Sequence, residues 1–308
     1  MLNKDFLSKS WFLLKNTTLE FIDDNAIKLS AALAYYTIFA LPPLLIIIIT
    51  ICGFFFGEEA VTGQLYGQIN DLVGNDAAIQ IQAAIKNVEL SGNNVFVTVF
   101  GVTMLLIGAS GVFAEIQSSI NYIWGLRAKP NKGLKKFIQN RVMSFSMIVS
   151  LGFLMIVSLI VNSALDLVNS RLKLYFPEST VYLFYVINSV IVFSIITLLF
   201  AIIFRTLPDG IIKWRDACFG AACTAILFMV GKFAIGYYLG NSTIASVYGA
   251  AGSVIIILVW VYYSSIILYF GAEFTKVYAK KYGGKISPNE YSVEIKKEIF
   301  EIIEPEKK

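Results

Sequence analysis

Residues 248–276 read YGAAGSVIIILVWVYYSSIILYFGAEFTK, and this stretch decides the fold. No charged residue occurs between Gly249 and Ala272. A helix that rises about 1.5 Å per residue crosses a hydrocarbon core of about 30 Å in roughly 20 residues. The run is therefore long enough to span a membrane. Because Lys276, Lys280 and further lysines follow it, the positive-inside rule places its end in the cytoplasm.

The composition of the whole chain also indicates a membrane protein. Hydrophobic residues make up 57% of the 308 residues, charged residues make up 15%, and the mean hydropathy is +0.70. Such a chain cannot bury its apolar surface inside a water-facing shell, so lipid must be part of its solvent. The chain has no histidine, and its three cysteines form no CxxC pair, so we expect no metal site and no cofactor.

Hydropathy divides the chain into six spans at about 29–56, 95–116, 142–165, 181–204, 217–239 and 249–272. Lysine and arginine alternate between rich and poor connections, which places both termini in the cytoplasm. Residues 57–92 predict two short amphipathic helices in the first extracytoplasmic loop. The sequence therefore predicts an all-α, polytopic membrane helical bundle with six transmembrane helices. Its parts are an N-terminal helix (1–28), a transmembrane domain (29–275) and a cytoplasmic tail (276–308).

Both terminal segments have helical periodicity. In residues 1–28, Trp11, Leu14 and Phe21 are among the apolar residues that lie roughly on one helical face. Two interpretations fit this pattern: a helix at the membrane surface with Trp11 at headgroup depth, or a helix packed on the cytoplasmic side. In the tail, Ile295 and Ile299 favour another cytoplasmic helix that begins near Pro288.

Two spans have features that would suit a transport path. Pro42 and Pro43 lie in the middle of the first span and should kink or break it. This is either a tolerated kink or a broken helix that lines a cavity. In the second span, glycines including Gly108 and Gly111 share a broad face with Glu115, which should point to protein or water.

Several charged residues are further candidates for such a path. Glu115, Arg205 and Glu273 fall at predicted cytoplasmic span ends, where they either form ion pairs or belong to a polar network at the inner mouth of a cavity. Lys232 lies inside the fifth span, about 12 Å from its outer end. A lone cation in a span either pairs with an acid such as Asp166 or attracts an anionic substrate group.

A set of motifs, in order along residues 31–274, resembles the YihY/virulence factor BrkB family, once labelled ribonuclease BN. They are AALAYY (31–36, ending in Tyr36), LPPLL (41–45), AEIQ (114–117), NYIW (121–124), RTLPD (205–209), WRDA (214–217), YGAAGS (248–253) and FGAEF (270–274). The resemblance implies a six-helix inner-membrane protein of bacteria with an envelope or solute-transport role. The ribonuclease label is regarded as a misassignment.

The residues themselves also disfavour a nuclease or any other enzyme. Phosphodiester hydrolysis usually needs metal-binding carboxylates and histidines in an aqueous site, and here the acids near the inner face lie in separate segments. The motif GxxxxGK[ST] is absent, so ATP would not be a direct energy source.

We therefore expect a transporter of a small polar or amphiphilic solute, with candidate path residues Lys232, Glu115, Arg205, Glu273, Pro42, Pro43 and Tyr36. The alternatives are transport of a lipid or envelope component and a structural role in the membrane. Expected partners are membrane lipids and a small-molecule or lipid substrate, but no nucleic acid. Association into a homo-oligomer is left open.

Overall fold

The computed structural model describes residues 4–40, 108, 111–129, 178–240 and 252–295, and most of them are helical. The helices are α1 (Lys4–Asp23), α2 (Ala26–Ala40), α3 (111–123), α4 (Glu178–Thr206), α5 (Trp214–Gly240) and α6 (Gly252–Lys281). The strands are β1 (Leu126–Ala128), β2 (Gly210–Ile211), β3 (Ser287–Pro288) and β4 (Ser292–Glu294).

Three of these helices are long and apolar enough to cross a membrane. They contain the segments Ser189–Thr206, Trp214–Tyr238 and Val254–Lys281. These segments confirm helices at the predicted fourth, fifth and sixth spans. Helices α2 and α3 cover parts of the first and second spans, whereas the third span and the loop at 57–92 lie outside the described residues. The total of six spans and the side on which the termini lie stay predictions.

Helix α1 packs against α6 through a buried strip formed by Leu13, Thr17 and Phe21. Only part of the apolar face predicted from the sequence is buried in this contact, and the rest lies on the protein surface. Phe21 is buried, but Trp11 is 70% exposed and Ile22 is 60% exposed. The helix thus has apolar residues on two sides, because contact with α6 selects one strip and leaves the other uncovered. A turn at Asn25, where φ is +52°, leads into α2.

Helices α5 and α6 pack closely through a reciprocal arrangement of glycine and threonine. Gly220 of α5 faces Thr275 of α6, and Gly271 of α6 faces Thr224 of α5. Each threonine hydroxyl donates to the carbonyl oxygen of the glycine four residues earlier, at 2.8 Å for Thr224 and 2.7 Å for Thr275. Small residues four apart let helix backbones approach closely in a membrane, where hydrophobic attraction between helices is absent.

A substitution in this contact should destabilise the bundle. In Gly271→Ala the added methyl group would overlap the side chain of Thr224, so we expect a loss of about 1–3 kcal/mol in the free energy of unfolding. Gly236→Ala is the matched control, because no described atom lies within 4 Å of the added carbon. Thermal unfolding of each detergent-purified variant measures its loss of stability. Equal melting temperatures for the two variants would contradict the close contact.

The glycine-rich face predicted for the second span also lies at a helix contact. A carbon added at Gly108 would lie 3.3 Å from the Cα atom of Ala40, and one added at Gly111 would lie 3.3 Å from the ring of Tyr36. The small residues of this span therefore allow α2 to approach.

At one end of the bundle, α4 and α6 finish and α5 begins; we call this the polar end (Thr206, Trp214 and Lys281). Residues 283–295, the C-terminal clamp, lie across it. In antiparallel pairs, β4 joins β1 with Leu126 opposite Glu294, and β3 joins β2 with Gly210 opposite Pro288.

The expectation of a helix that begins near Pro288 is wrong for residues 288–295, which are extended or in turns. The backbone of these residues bonds to neighbouring chain segments instead of forming helical bonds. The amide N–H of Ile295 donates to the carbonyl oxygen of Gly125 at 2.7 Å, for example. Residues 296–308 lie outside the described part of the chain.

Candidate functional site

A cluster of charges joins α1 to α6 near the polar end. The ammonium group of Lys276 lies 2.7 Å from the carboxylate of Glu20, 3.3 Å from that of Asp24 and 3.0 Å from that of Glu273. Glu20 and Asp24 are four residues apart on and just after α1, and Glu273 and Lys276 are three apart on α6. Helical periodicity therefore places each pair on one face.

The cluster is largely removed from solvent. Glu273 is fully buried, Asp24 is buried, and the side chain of Lys276 is 21% exposed. Asp24 and Glu273 both contact the Lys276 ammonium group, so one positive charge lies between two buried acids. Lys276 thus provides the positive charge that permits three acids to meet at the α1–α6 contact.

Asp209, in the turn between α4 and α5, is the centre of a second polar network. Its carboxylate accepts hydrogen bonds from the side-chain amides of Gln117, at 3.3 Å, and Asn121, at 2.9 Å. Its own backbone N–H donates to the side-chain oxygen of Asn121 at 2.7 Å. Its carbonyl oxygen accepts from the Ser292 hydroxyl at 2.7 Å. One buried residue therefore connects α3, the α4–α5 turn and the C-terminal clamp.

Asp216, in the first turn of α5, holds the beginning of the same clamp. Its buried carboxylate accepts a hydrogen bond from the backbone N–H of Gly284 at 2.8 Å. Residue 283, just before Gly284, must be a glycine, because a Cβ atom at this position would lie 2.6 Å from the Asp216 carboxyl carbon. The negative charge near the N-terminus of α5 is also favourable for the helix dipole.

A cavity of about 410 Å³ opens beside the charge cluster around Lys276. Its charged lining residues are Asp24, Lys276, Lys280, Lys285 and Glu294. Its apolar walls include Ile123, Trp124, Ile286 and Ile295. The indole N–H of Trp124 donates to the carbonyl oxygen of Ala272 at 3.1 Å, which fixes the ring against α6. The cavity thus combines anchored apolar walls with charges of both signs.

Three of the predicted path residues lie at helix contacts. Tyr36 is 42% exposed on α2 and touches α3 at Gly111. Glu115 is half-buried on α3, accepts a hydrogen bond from the Ser119 hydroxyl at 3.1 Å, and lies near Tyr269 of α6. Glu273 belongs to the charge cluster around Lys276. The sequence left open whether Glu273 forms an ion pair or belongs to a polar network at a cavity mouth, and in the structure it has a basic partner.

Arg205 and Lys232, two further predicted path residues, lie apart from the cavity lining. Arg205 is half-buried near the end of α4, and its Nε atom has no hydrogen-bond partner among the described residues. Lys232 is exposed on α5, and no described carboxylate lies within ion-pair distance of it. Asp166, its predicted alternative partner, and the two prolines at 42 and 43 lie outside the described residues. That these residues line a transport path stays a prediction.

The sequence interpretation missed Glu20, Asp24 and the central position of Lys276. The spacing of Glu20 and Asp24 was the available signal, because two acids four residues apart on a helix repel each other and are stabilised by a nearby cation. The choice of Lys276 as that cation, among many lysines near the same end, depends on how α1 packs against α6. In the part of the chain that the structure describes, no group of three or more acidic or cysteine side chains is arranged to hold a metal ion.

Comparisons with known proteins agree with this fold. The family model for the virulence factor BrkB matches residues 17–295. A "UPF0761 membrane protein" of Saccharophagus degradans is 24% identical over 85% of this chain and 58% of its own length. Relatives of the same description from Xanthomonas axonopodis pv. citri and Tolumonas auensis are 28% and 25% identical, over 82% and 80% of this chain and 58% and 78% of their own lengths.

The chain spans a little over half the length of several of these curated relatives. No solved structure matches it. The family match covers most of the chain and includes α1 from Thr17, the Asp209 network and the C-terminal clamp. The chain is a membrane protein and belongs to the virulence factor BrkB family.

Proposed function

We propose that this protein is a transporter that moves a small polar or amphiphilic molecule across the bacterial inner membrane. The cavity at the polar end is the observation that carries the proposal. Its volume of about 410 Å³ lies within the range of roughly 300–1,000 Å³ that is usual for small-molecule sites. In this proposal it is the inner mouth of the transport path.

The lining of the cavity suits a molecule with both polar and apolar parts. Lys280, Lys285 and Glu294 supply charge, while Ile286 and Ile295 supply accessible apolar surface. The cavity lies beside α6, which is long and apolar enough to span the membrane. A solute bound here would therefore be at the entrance to the spanning helices.

The environment of the buried acids suits a structural role rather than catalysis. The carboxylates of Asp24 and Glu273 contact Lys276, that of Asp209 accepts from two amides, and that of Asp216 accepts from a backbone N–H. Each of these interactions holds one chain segment against another. Their geometry suits a rigid frame around the cavity, and we propose that the protein is not an enzyme.

Transport of a lipid or envelope component is the second candidate, and a feature of α1 favours it. Asp24, directly after α1, lines the cavity, and Ile22 and Ile27, close to it on either side in the chain, are strongly exposed apolar residues. Exposed apolar residues next to a polar site are typical of surfaces that contact lipid. In this variant of the proposal, the cavity receives its substrate from the bilayer.

Proteoliposomes can test both candidates with one pair of variants. Vesicles with the purified protein are shrunk osmotically in small zwitterions or organic anions, and solute entry is followed as re-swelling by light scattering. Ile295→Trp adds bulk to a cavity wall and should slow the entry of a transported solute several-fold. Ile211→Trp is the matched control, because Ile211 is exposed at the same end and does not line the cavity.

A parallel assay follows the movement of fluorescent phospholipid by dithionite quenching. Lipid movement without solute entry would favour the second candidate. If neither solutes nor lipids move faster than in protein-free vesicles, or if Ile295→Trp and Ile211→Trp behave alike, the proposed path is wrong.

A further inference from the structure

We infer that this cavity binds the zwitterionic headgroup of a phosphate-bearing amphiphile, with Lys280 and Lys285 at the phosphate and Glu294 at an adjacent ammonium group. The matching headgroup class is phosphoethanolamine. The inference names a substrate class for the proposed transport, and it rests on that function only for the fate of the bound molecule. Binding itself depends on the cavity alone.

The three lysines of the cavity differ in how their charges are compensated. Lys276 contacts three carboxylates and has no charge left for a ligand. Lys280 and Lys285 are exposed, and no described carboxylate lies within ion-pair distance of either. Two uncompensated ammonium groups at one cavity attract an anion, and a phosphate group can accept hydrogen bonds from both.

The backbone at Lys285 supports a role for its side chain. Its φ of +47° lies in the left-handed region, where glycine or asparagine is usual and a long side chain is uncommon. Its N–H donates to the carbonyl oxygen of Ala279 at 3.3 Å, as part of the turn that ends α6. A lysine in a conformation that favours glycine is a reason to look for a function of that lysine.

Glu294 gives the cavity a separate negative group. It lies in β4 opposite Leu126 of β1, so strand pairing fixes its backbone at the cavity edge. Among the described residues no lysine or arginine lies within ion-pair distance of Glu294. A simple anion would be repelled by this carboxylate, whereas a headgroup with both a phosphate and an amine would satisfy all three side chains.

The apolar walls indicate that the ligand continues beyond its headgroup. Trp124 is held in place by its bond to α6, and Ile123, Ile286 and Ile295 complete the wall. A free headgroup would leave the half-buried Ile286 and the exposed Ile295 in contact with water. An amphiphile would bury them with its glycerol and upper acyl region, which is favourable in proportion to the apolar area covered.

Native mass spectrometry of the delipidated full-length chain tests the inference directly. The probes are phosphatidylethanolamine, phosphatidylglycerol, O-phosphoethanolamine and inorganic phosphate. We expect phosphatidylethanolamine to bind about tenfold more tightly than phosphatidylglycerol, as for one charge-assisted hydrogen bond. Binding of O-phosphoethanolamine or inorganic phosphate as tight as that of the lipid would overturn the assignment to an amphiphile.

Matched variants separate the proposed contacts from general charge effects. Lys280→Gln/Lys285→Gln should weaken phosphatidylethanolamine binding at least about tenfold. Lys28→Gln/Lys281→Gln removes the same charge from exposed residues that do not line the cavity and should leave binding unchanged. Glu294→Gln should remove the preference over phosphatidylglycerol. Equal binding by the two double variants would overturn the inference.

The outcome is separable from that of the proposed transport function. Tight, lysine-dependent lipid binding without movement in proteoliposomes would retain the site and reject the transporter. Solute entry that Ile295→Trp slows, with no preference for phosphatidylethanolamine in the wild-type protein, would retain the path and reject this ligand. The wild-type comparison of the two lipids needs no variant to fold.

Discussion

Lys276→Met should lower the free energy of unfolding by about 3–5 kcal/mol, because it leaves three carboxylates without their common cation at a buried contact. Methionine keeps most of the apolar stem, so the loss would come mainly from charge. The thermal midpoint of the detergent-purified protein reports the stability. Hydrogen exchange in α1 should increase most, since that helix is joined to α6 through these acids.

The control for this prediction is Lys281→Met at the end of the same helix. Lys281 is exposed and lies over the ring of Phe12, 5.1 Å from its centroid, so its loss should cost about 1 kcal/mol or less. A double variant, Glu273→Gln/Lys276→Met, also removes the fully buried acid and should recover part of the stability. If Lys276→Met unfolds at the same temperature as Lys281→Met, the cluster does not hold α1 in place.

Asp209→Ala should be the second severe substitution, with a loss of about 3 kcal/mol or more, because the two charge-assisted hydrogen bonds from the Gln117 and Asn121 amides disappear. The effect should extend beyond the α4–α5 turn. The Ser292 hydroxyl and the Asn289 N–H both donate to the Asp209 carbonyl oxygen, so movement of this backbone would loosen the C-terminal clamp.

Thermal unfolding and limited proteolysis of the clamp measure the two parts of this prediction. Asp209→Asn keeps one side-chain acceptor and should have a smaller effect than Asp209→Ala. Asp23→Ala, at an exposed position near the same end of the molecule, is the control for loss of one acid. An Asp209→Ala protein with normal stability and a protease-resistant clamp would show that the network is not needed for the fold.

Several features could be predicted from the sequence because they depend on local composition. The uncharged run after Gly249 needs a helix, since every backbone polar group in a membrane must be satisfied within the protein. The same reasoning located α4 and α5 within a few residues. Glu273 could be singled out because a carboxylate at a span end requires a partner.

Other features could not be predicted because they depend on residues far apart in the chain. Gln117 and Asn121 are ordinary polar residues of a helix until the α4–α5 turn places Asp209 beside them. Ile295 and Ile299 favour a helix that begins near Pro288, but backbone bonds to β1, β2 and the residues next to them stabilise an extended conformation at residues 288–295. Tertiary contact overrode local propensity at this point.

The sequence by itself determined that the chain is a helical membrane protein of the BrkB family, because hydropathy and ordered motifs are properties of contiguous residues. Only the tertiary structure decided that Lys276 is neutralised while Lys280 and Lys285 keep their charges at a cavity. The physical reason is distance. Coulomb attraction and hydrogen bonding act over a few ångströms, and packing of α1 against α6 selects which lysine meets the acids.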